Sequence, residues 1–319
     1  MSTRQLLIDT ATRIFADHCD KSLLDAAERG ESAEKLLAIL RENGLHEAAM
    51  PERGLQLGDA FAVIKVAGGF ACPLPLAEMI LGCRWLEDSS PLVSIGRLDE
   101  NRVSDVPWGR IADKVLGIDA RGRVVLAVDG TLIESTNLAG EARDRLDDVN
   151  CEQLPAEVLI REDSAFELLT LARAVQMAGA LERVLDLSLT YATEREQFGR
   201  PLSKFQAIQH NLAIMAAEVA AASRSADAGV AAIESPRFEL EVSAAKSRVG
   251  EAAGVVAEMA HQIHGAMGYT HEHQLHHYTR RLWAWRDEYA DESTCQAFLG
   301  QAIAAQGPEN LWKFIATRT

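Results

Sequence analysis

Three stretches of the chain carry three different patterns of apolar and polar positions. From the N-terminus to about residue 88 the pattern is helical. Leu6, Ile8, Ala11 and Phe15 recur at helical intervals, and Leu36, Leu37 and Leu40 do so again. Gly54, Gly58, Gly68, Gly69 and Pro73 punctuate this stretch as turns. From about 92 to 157 the helical period disappears. PLVSIGRL (91–98) and RVVLAV (123–128) are short β-favouring runs, and Asp129-Gly130 predicts a hairpin-type turn after the second. The stretch is small and predicts a few strands only.

From Ser164 the helical period returns and persists almost to the end. It predicts helices over about 164–194, 204–233, 237–263 and 279–304. Pro201 and Pro236 stand at or before helix starts, where the missing N–H costs nothing. Each helix is about 25–30 residues, roughly 40 Å at 1.5 Å per residue. Matched lengths joined by short turns predict a four-helix bundle, and alanine-rich faces such as 212–222 and 249–260 allow close packing. The expected fold is mainly α with a small β insert. Its expected divisions are an N-terminal helical domain (1–88), a reduced β-domain (89–160) and a C-terminal four-helix bundle (161–319).

Composition narrows the function. The 319 residues carry 32 Lys+Arg and 47 Asp+Glu, a net charge of −15. Such acidity argues against nucleic acid or an anionic membrane as partner, although one basic pocket suffices for a small anion. No apolar run reaches the length of a spanning helix, and the N-terminal residues do not have the pattern of a signal peptide. Cys19, Cys72, Cys83, Cys151 and Cys295 are odd in number, widely spaced and free of CxxC. A disulfide framework is not expected, and a cytoplasmic location is.

Two segments carry chemistry. In YATEREQFGRPLSKFQAIQH (191–210), Arg195, Gln197 and Arg200 cluster around a glycine turn with Phe198. A cation, an amide and an aromatic ring at such a corner suit a pyrophosphate and a purine. Read alone, they more readily describe a helix C-terminus whose arginines complement its dipole. In HQIHGAMGYTHEHQLHHYTRR (261–281), Gln262 ends a helix, and Gly265 and Gly268 allow close backbone approach. Six of the nine histidines lie here, at 261, 264, 271, 273, 276 and 277. His273 and His277 with Glu272 suggest a metal, but no HExxH and no second ExxH helix occurs, so turn and capping roles are expected and a metal is not.

EREQFGRPLSKFQAIQH (194–210) resembles the flavin-adenine contact loop of the acyl-CoA dehydrogenase family. QIHGAMGYTHEHQLHHYTRR (262–281) resembles that family's second signature, and the alanine-rich helix pair between them is also as the family has it. The resemblance covers about 160–305 closely and the N-terminal helices loosely. It implies α,β-dehydrogenation of an acyl-CoA thioester, with FAD lying across a subunit interface. Arg195, Gln197, Phe198, Gln262, Gly265 and Ala266 would contact its adenosine-diphosphate part. The two family positions for the catalytic base fall on Ala290 and Leu169, which cannot take a proton; Glu288, Asp291 and Glu292 are close in sequence and would reach in only with a different loop, Glu288 and Asp291 being the candidates for a displaced base. The expected role is one subunit of a heteromeric dehydrogenase, lending flavin contacts to a full-length catalytic chain. A self-sufficient homo-dimer or tetramer with a displaced base, and a flavin-free helical scaffold, are the alternatives.

Overall fold

The computed structural model describes residues 2–154 and 164–316. The expected boundary at 160/161 between the second and third domains lies outside the described residues. Five helices open the chain: α1 (Thr3–His18), α2 (Lys21–Glu28), α3 (Glu34–Glu42), α4 (Leu57–Gly69) and α5 (Leu76–Leu86). Ser2 and Asp20 cap α1 and α2 by accepting from Gln5 N and Leu23 N. Seven strands follow: β1 (Val93–Asp99), β2 (Arg102–Pro107), β3 (Lys114–Ile118), β4 (Val124–Ala127), β5 (Thr131–Ile133), β6 (Arg143–Asp147) and β7 (Cys151–Gln153). They form one sheet in the order β5-β6-β2-β1-β3-β4-β7, parallel only between β1 and β3.

This sheet is fuller than the few strands expected. The extra strands are short and polar. RDRLD in β6 and CEQ in β7 have no hydropathy signal, because their place is set by hydrogen bonds to neighbours rather than by burial of alternate side chains. Nor is Asp129-Gly130 a hairpin turn. β4 pairs with β3 and β7, and β5 pairs with β6, so the turn carries the chain between non-adjacent strands.

The remaining elements are α6 (Ala165–Glu194), the two-stranded β8 (Glu196–Gln197) and β9 (Arg200–Pro201), α7 (Gln206–Ala231), α8 (Phe238–His264), α9 (Leu275–Trp285), α10 (Glu292–Gln306) and α11 (Leu311–Ala316). Three bundle helices match the expected spans to within two residues. The fourth does not. The expected helix 279–304 is two helices, α9 and α10, broken over 286–291. The buried Lys246 of α8 donates to the carbonyls of Trp285 (2.8 Å) and Arg286 (2.9 Å), which ends α9. Tyr289 takes a positive φ of 64°, and Asp291 then caps α10 by accepting from Thr294 N at 2.7 Å. Burial pushes the Lys246 pKa down to about 7.

The helix α6 is the centre of the molecule. Nearly every residue from Ala165 to Leu181 is buried, so it is covered on all sides rather than along one stripe. Its closest neighbour on the N-terminal side is α4, and two glycines set that approach. A Cβ on Gly68 would overlap the carbonyl oxygen of Gln176, and one on Gly179 would overlap that of Lys65. The helices therefore meet backbone to backbone. Among the described residues no helix is long and apolar enough to cross a membrane.

Gly179→Ala is expected to force α4 and α6 apart and to cost about 2–3 kcal/mol, at the upper end of overpacking. Urea unfolding followed by circular dichroism measures it. A loss below about 0.5 kcal/mol would mean that the crossing is not limited by the two glycines.

Candidate functional site

The structure brings the sequence-predicted residues together at two separate places, one facing outward and one inward. The outward place begins where α6 ends. Arg195 follows its last residue, and the chain turns at once through the β8–β9 hairpin. The two turn residues, Phe198 and Gly199, both have positive φ, 53° and 77°. That is the requirement of a tight two-residue turn of the primed type. Glycine meets it freely, but for a phenylalanine it is strained. The strained ring is not buried in compensation: Phe198 is 90% exposed. It meets Phe205 edge-on at 6.2 Å, and the Arg200 guanidinium lies 4.1 Å over the Phe205 ring. Arg195, Gln197 and Arg200 are exposed beside it. A strained, solvated aromatic among cations has no reason in the fold of this chain taken by itself.

The second segment comes to the same end of the bundle. Asn211, in the second turn of α7, donates to Gln262 at 3.1 Å, tying the end of α8 to the helix that the hairpin leads into. Gly265 and Ala266 follow, exposed. Gly265 has φ 57° and ψ −137°, a backbone state for glycine, with nothing within 4 Å of a Cβ placed there. The expected close approach is thus absent at Gly265, where the reason for glycine is the turn alone. At Gly268 it is present, with His261 and His264 atoms 3.0 and 3.1 Å from such a Cβ. The histidines of this segment serve largely as packing. His264 stacks on Tyr191 at 4.4 Å, and His261 stacks on Tyr269 at 4.4 Å. Burial pushes the His264 pKa down to about 4, so it is neutral at pH 7.

The inward place lies between the sheet and the bundle, where the α9–α10 break delivers Glu288 and Tyr289. A cleft of about 290 Å³ opens there, lined by Ser135, Thr136, Asn137, Arg143, Phe166 and Glu288, among others. Glu288 is clamped. It accepts from Arg143 Nε at 2.8 Å and Asn137 Nδ2 at 3.2 Å, and pairs with Arg173 Nε at 2.8 Å. Arg173 turns its other side to Glu78 (2.8 Å), which also accepts from the Tyr289 hydroxyl at 2.6 Å. Glu141 accepts from Arg143 (3.1 Å) and from the Trp285 indole (2.8 Å). Arg143, Arg173, Glu78 and Glu141 are buried.

This corrects the expectation for the displaced base. Burial alone would raise the Glu288 pKa, but the charges of Arg143 and Arg173 outweigh it and hold it down at about 2. A general base for carbon acids is wanted near neutrality. Asp291 is an exposed helix cap, its carboxyl held below the usual range by the Thr294 N–H. Leu169 is core, and Ala290 carries no acid. Sequence reading did not find Arg143, Arg173, Glu78 or Glu141. The available signal was a lone charge inside an apolar helical run, as in LTLARAVQM and PLPLAEMI.

Residues 163–285 match the family description "Acyl-CoA dehydrogenase, C-terminal domain". The chain is 27% identical over 296 residues to the acyl-CoA dehydrogenase IpdE2 of Mycobacterium tuberculosis, covering 87% of this chain and 90% of that one. Among solved structures it is similar to the ChsE4-ChsE5 complex from Mycobacterium tuberculosis, with a TM-score of 0.85 at 19% identity over 97% of this chain and 98% of that one. It is also similar to the Tcur3481-Tcur3483 steroid ACAD, with a TM-score of 0.83 at 23% identity over 95% and 98%.

Glu288→Gln leaves two buried guanidinium groups short of a counter-charge and is expected to cost about 3–5 kcal/mol, measured by denaturant unfolding. Because the Glu288 pKa is depressed when folded, its contribution is fully present above the ordinary carboxyl value near 4.5 and drains away as pH falls toward 2. The variant should therefore lose the part of the wild-type acid sensitivity that falls in that window. An unchanged acid limb would show that the clamp is not what titrates.

Proposed function

We propose a role that proceeds from this chain's membership of the acyl-CoA dehydrogenase family, flavin-dependent oxidoreductases of acyl-CoA thioesters. In this reading it is one subunit of a heteromeric dehydrogenase and lends the adenosine-diphosphate contacts to FAD held mainly by a full-length partner chain. The observation that carries the reading is the opposite fate of the two places. The segment read as the nucleotide contact faces out on a strained, exposed hairpin, and the one acid in the inward cleft that could serve as a displaced base, Glu288, is held in the Arg143–Glu288–Arg173 clamp.

The two halves of the cofactor meet different answers. For the nucleotide half the donor set fits. Arg195 supplies a permanently charged guanidinium for a dianionic pyrophosphate, Gln197 and Gln262 supply amides, and Phe198 supplies a face for the purine. Gly265 and Ala266 leave open space beside Gln262. For the ring half this chain does not fit. Glu288, Arg143 and Asn137 of its cleft are satisfied by one another and by Glu141 and Arg173, and neither family position holds a base. Bound FAD would supply the hydride acceptor of the α,β-dehydrogenation. The residues of this chain bind and orient its distal half, and the proton-abstracting carboxylate belongs to the partner. Likeness to a complex of two named chains and to a steroid ACAD supports a second subunit. It also makes a steroid-derived acyl-CoA the first substrate class to try.

Expression alone should give colourless protein, and co-expression with a full-length homologue should give a yellow complex, read from its flavin absorbance. Yellow protein from the chain alone that bleaches with an acyl-CoA overturns the reading in favour of a self-sufficient homo-oligomer. In the complex, Arg195→Ala should weaken flavin retention about 10- to 100-fold, the range of a lost charge-assisted hydrogen bond. Asp291→Asn keeps the helix cap but removes the carboxylate, and turnover per flavin should stay unchanged.

A further inference from the structure

The histidine run contains a feature that neither the packing of the signature nor the proposed cofactor role uses. His276 is 7% exposed, and its Nδ1 donates to the His273 carbonyl at 2.7 Å. With Nδ1 carrying the hydrogen, Nε2 keeps a lone pair, and this nitrogen is buried without a hydrogen-bond partner. Such an orphan calls for a water or an ion. Beside it, His277 is fully buried between two carboxylates of α2. Its Nδ1 lies 2.7 Å from Glu28 Oε1 and its Nε2 lies 2.9 Å from Asp25 Oδ1. One nitrogen of each imidazole and one oxygen of Asp25 all lie within 4.8 Å of one another.

We infer that Asp25, His276 and His277 form a site for one divalent transition-metal ion of the zinc class, joining α2 to α9. Two imidazoles and a carboxylate suit Zn²⁺, Co²⁺ or Ni²⁺, with a water or the exposed His271 in the fourth position. The His271 ring is 5.0 Å from that of His276. The outer groups match those around bound metals. Glu28 holds His277 by Nδ1, and a backbone carbonyl holds His276 by Nδ1, which orients both Nε2 atoms. Ligand distances of about 2.0–2.2 Å set ligand atoms roughly 3.3–3.6 Å apart, so the Asp25–His277 pair, at 2.9 Å, opens slightly and any wider gap to His276 closes. Asp25 is free to make such adjustments, since its side chain is 30% exposed and its other oxygen is held by the partly exposed Lys21. The nearby cations do not block the ion. Arg280 and Arg281 pair with Glu28, and Arg281 pairs also with Glu141, so neither faces Asp25. Binding displaces Lys21 and any proton on His277 Nε2. The site is structural, a clip between the N-terminal helices and the bundle, and no step of the dehydrogenation passes through it.

The test uses the untagged full chain, alone and in complex, stripped with chelator and titrated with Co²⁺ and then Zn²⁺. One Co²⁺ per chain is expected, with the visible bands of a four-coordinate site, displaced by Zn²⁺. Zinc should also raise the Tm of the wild type. Asp25→Asn and His276→Gln should each weaken binding at least about 100-fold and abolish the Tm shift, because each removes a direct ligand where even outer groups are worth 10–100-fold. His210→Gln, at an exposed position on α7, should bind as the wild type does. If His276→Gln does not fold, Asp25→Asn decides by itself. Absence of binding, or binding that survives both ligand variants, overturns the proposal and leaves the His277 ring simply hydrogen-bonded between two carboxylates. These readouts need neither flavin nor substrate, so their failure is separate from failure of the proposed enzyme role.

Discussion

A chain of paired charges, most of them buried, runs through the middle of this protein, and the arrangement of its parts depends on keeping the buried ones paired. Asp25 and Glu28 of α2 meet His277, Arg280 and Arg281 of α9. Arg281 passes to Glu141 beside the sheet, Glu141 to Arg143, Arg143 to Glu288, Glu288 to Arg173 of α6, and Arg173 to Glu78 of α5. An unpaired charge in such an interior costs several kcal/mol, whereas the complete set contributes little net stability over an apolar core. The network therefore acts mainly as a registry device. It admits one relative placement of the N-terminal helices, the sheet and the bundle, because any other placement strands a charge.

The same network explains the broken fourth helix. An unbroken helix over 279–304 would carry Glu288 away from the two arginines that need it. The break at 286–291 turns the chain inward, with Lys246 taking the carbonyls that the helix gives up and Asp291 restarting the helix at once. The local hydrogen-bond loss is small, since caps replace it on both sides. The effect on function is large. The Glu288 carboxylate that the break delivers is held in an ion clamp between Arg143 and Arg173.

Much of the helical architecture was legible in the order of residues. The ends of α6, α7 and α8 follow from apolar period and from Pro201 and Pro236, because long helices bury a continuous surface and announce it in the pattern. Arg195, Gln197 and Phe198 stood out by type and spacing at a turn, and the structure adds that the turn is strained and exposed. The sheet was hardly legible. Thr131–Ile133 and Cys151–Gln153 show no alternation of buried and exposed positions, and strands of that kind are defined only by the neighbours whose backbone they meet.

What the sequence determined by itself was the helical framework, the residue types gathered at the exposed corner and the absence of a carboxylate at Ala290 and Leu169. These depend on local periodicity and on residue type, which a linear reading preserves. Only the tertiary structure decided what Glu288 does. Its partners lie 115 and 145 positions away, at Arg173 and Arg143, and a carboxyl group is an acid, a base or a brace according to the charges that folding brings beside it.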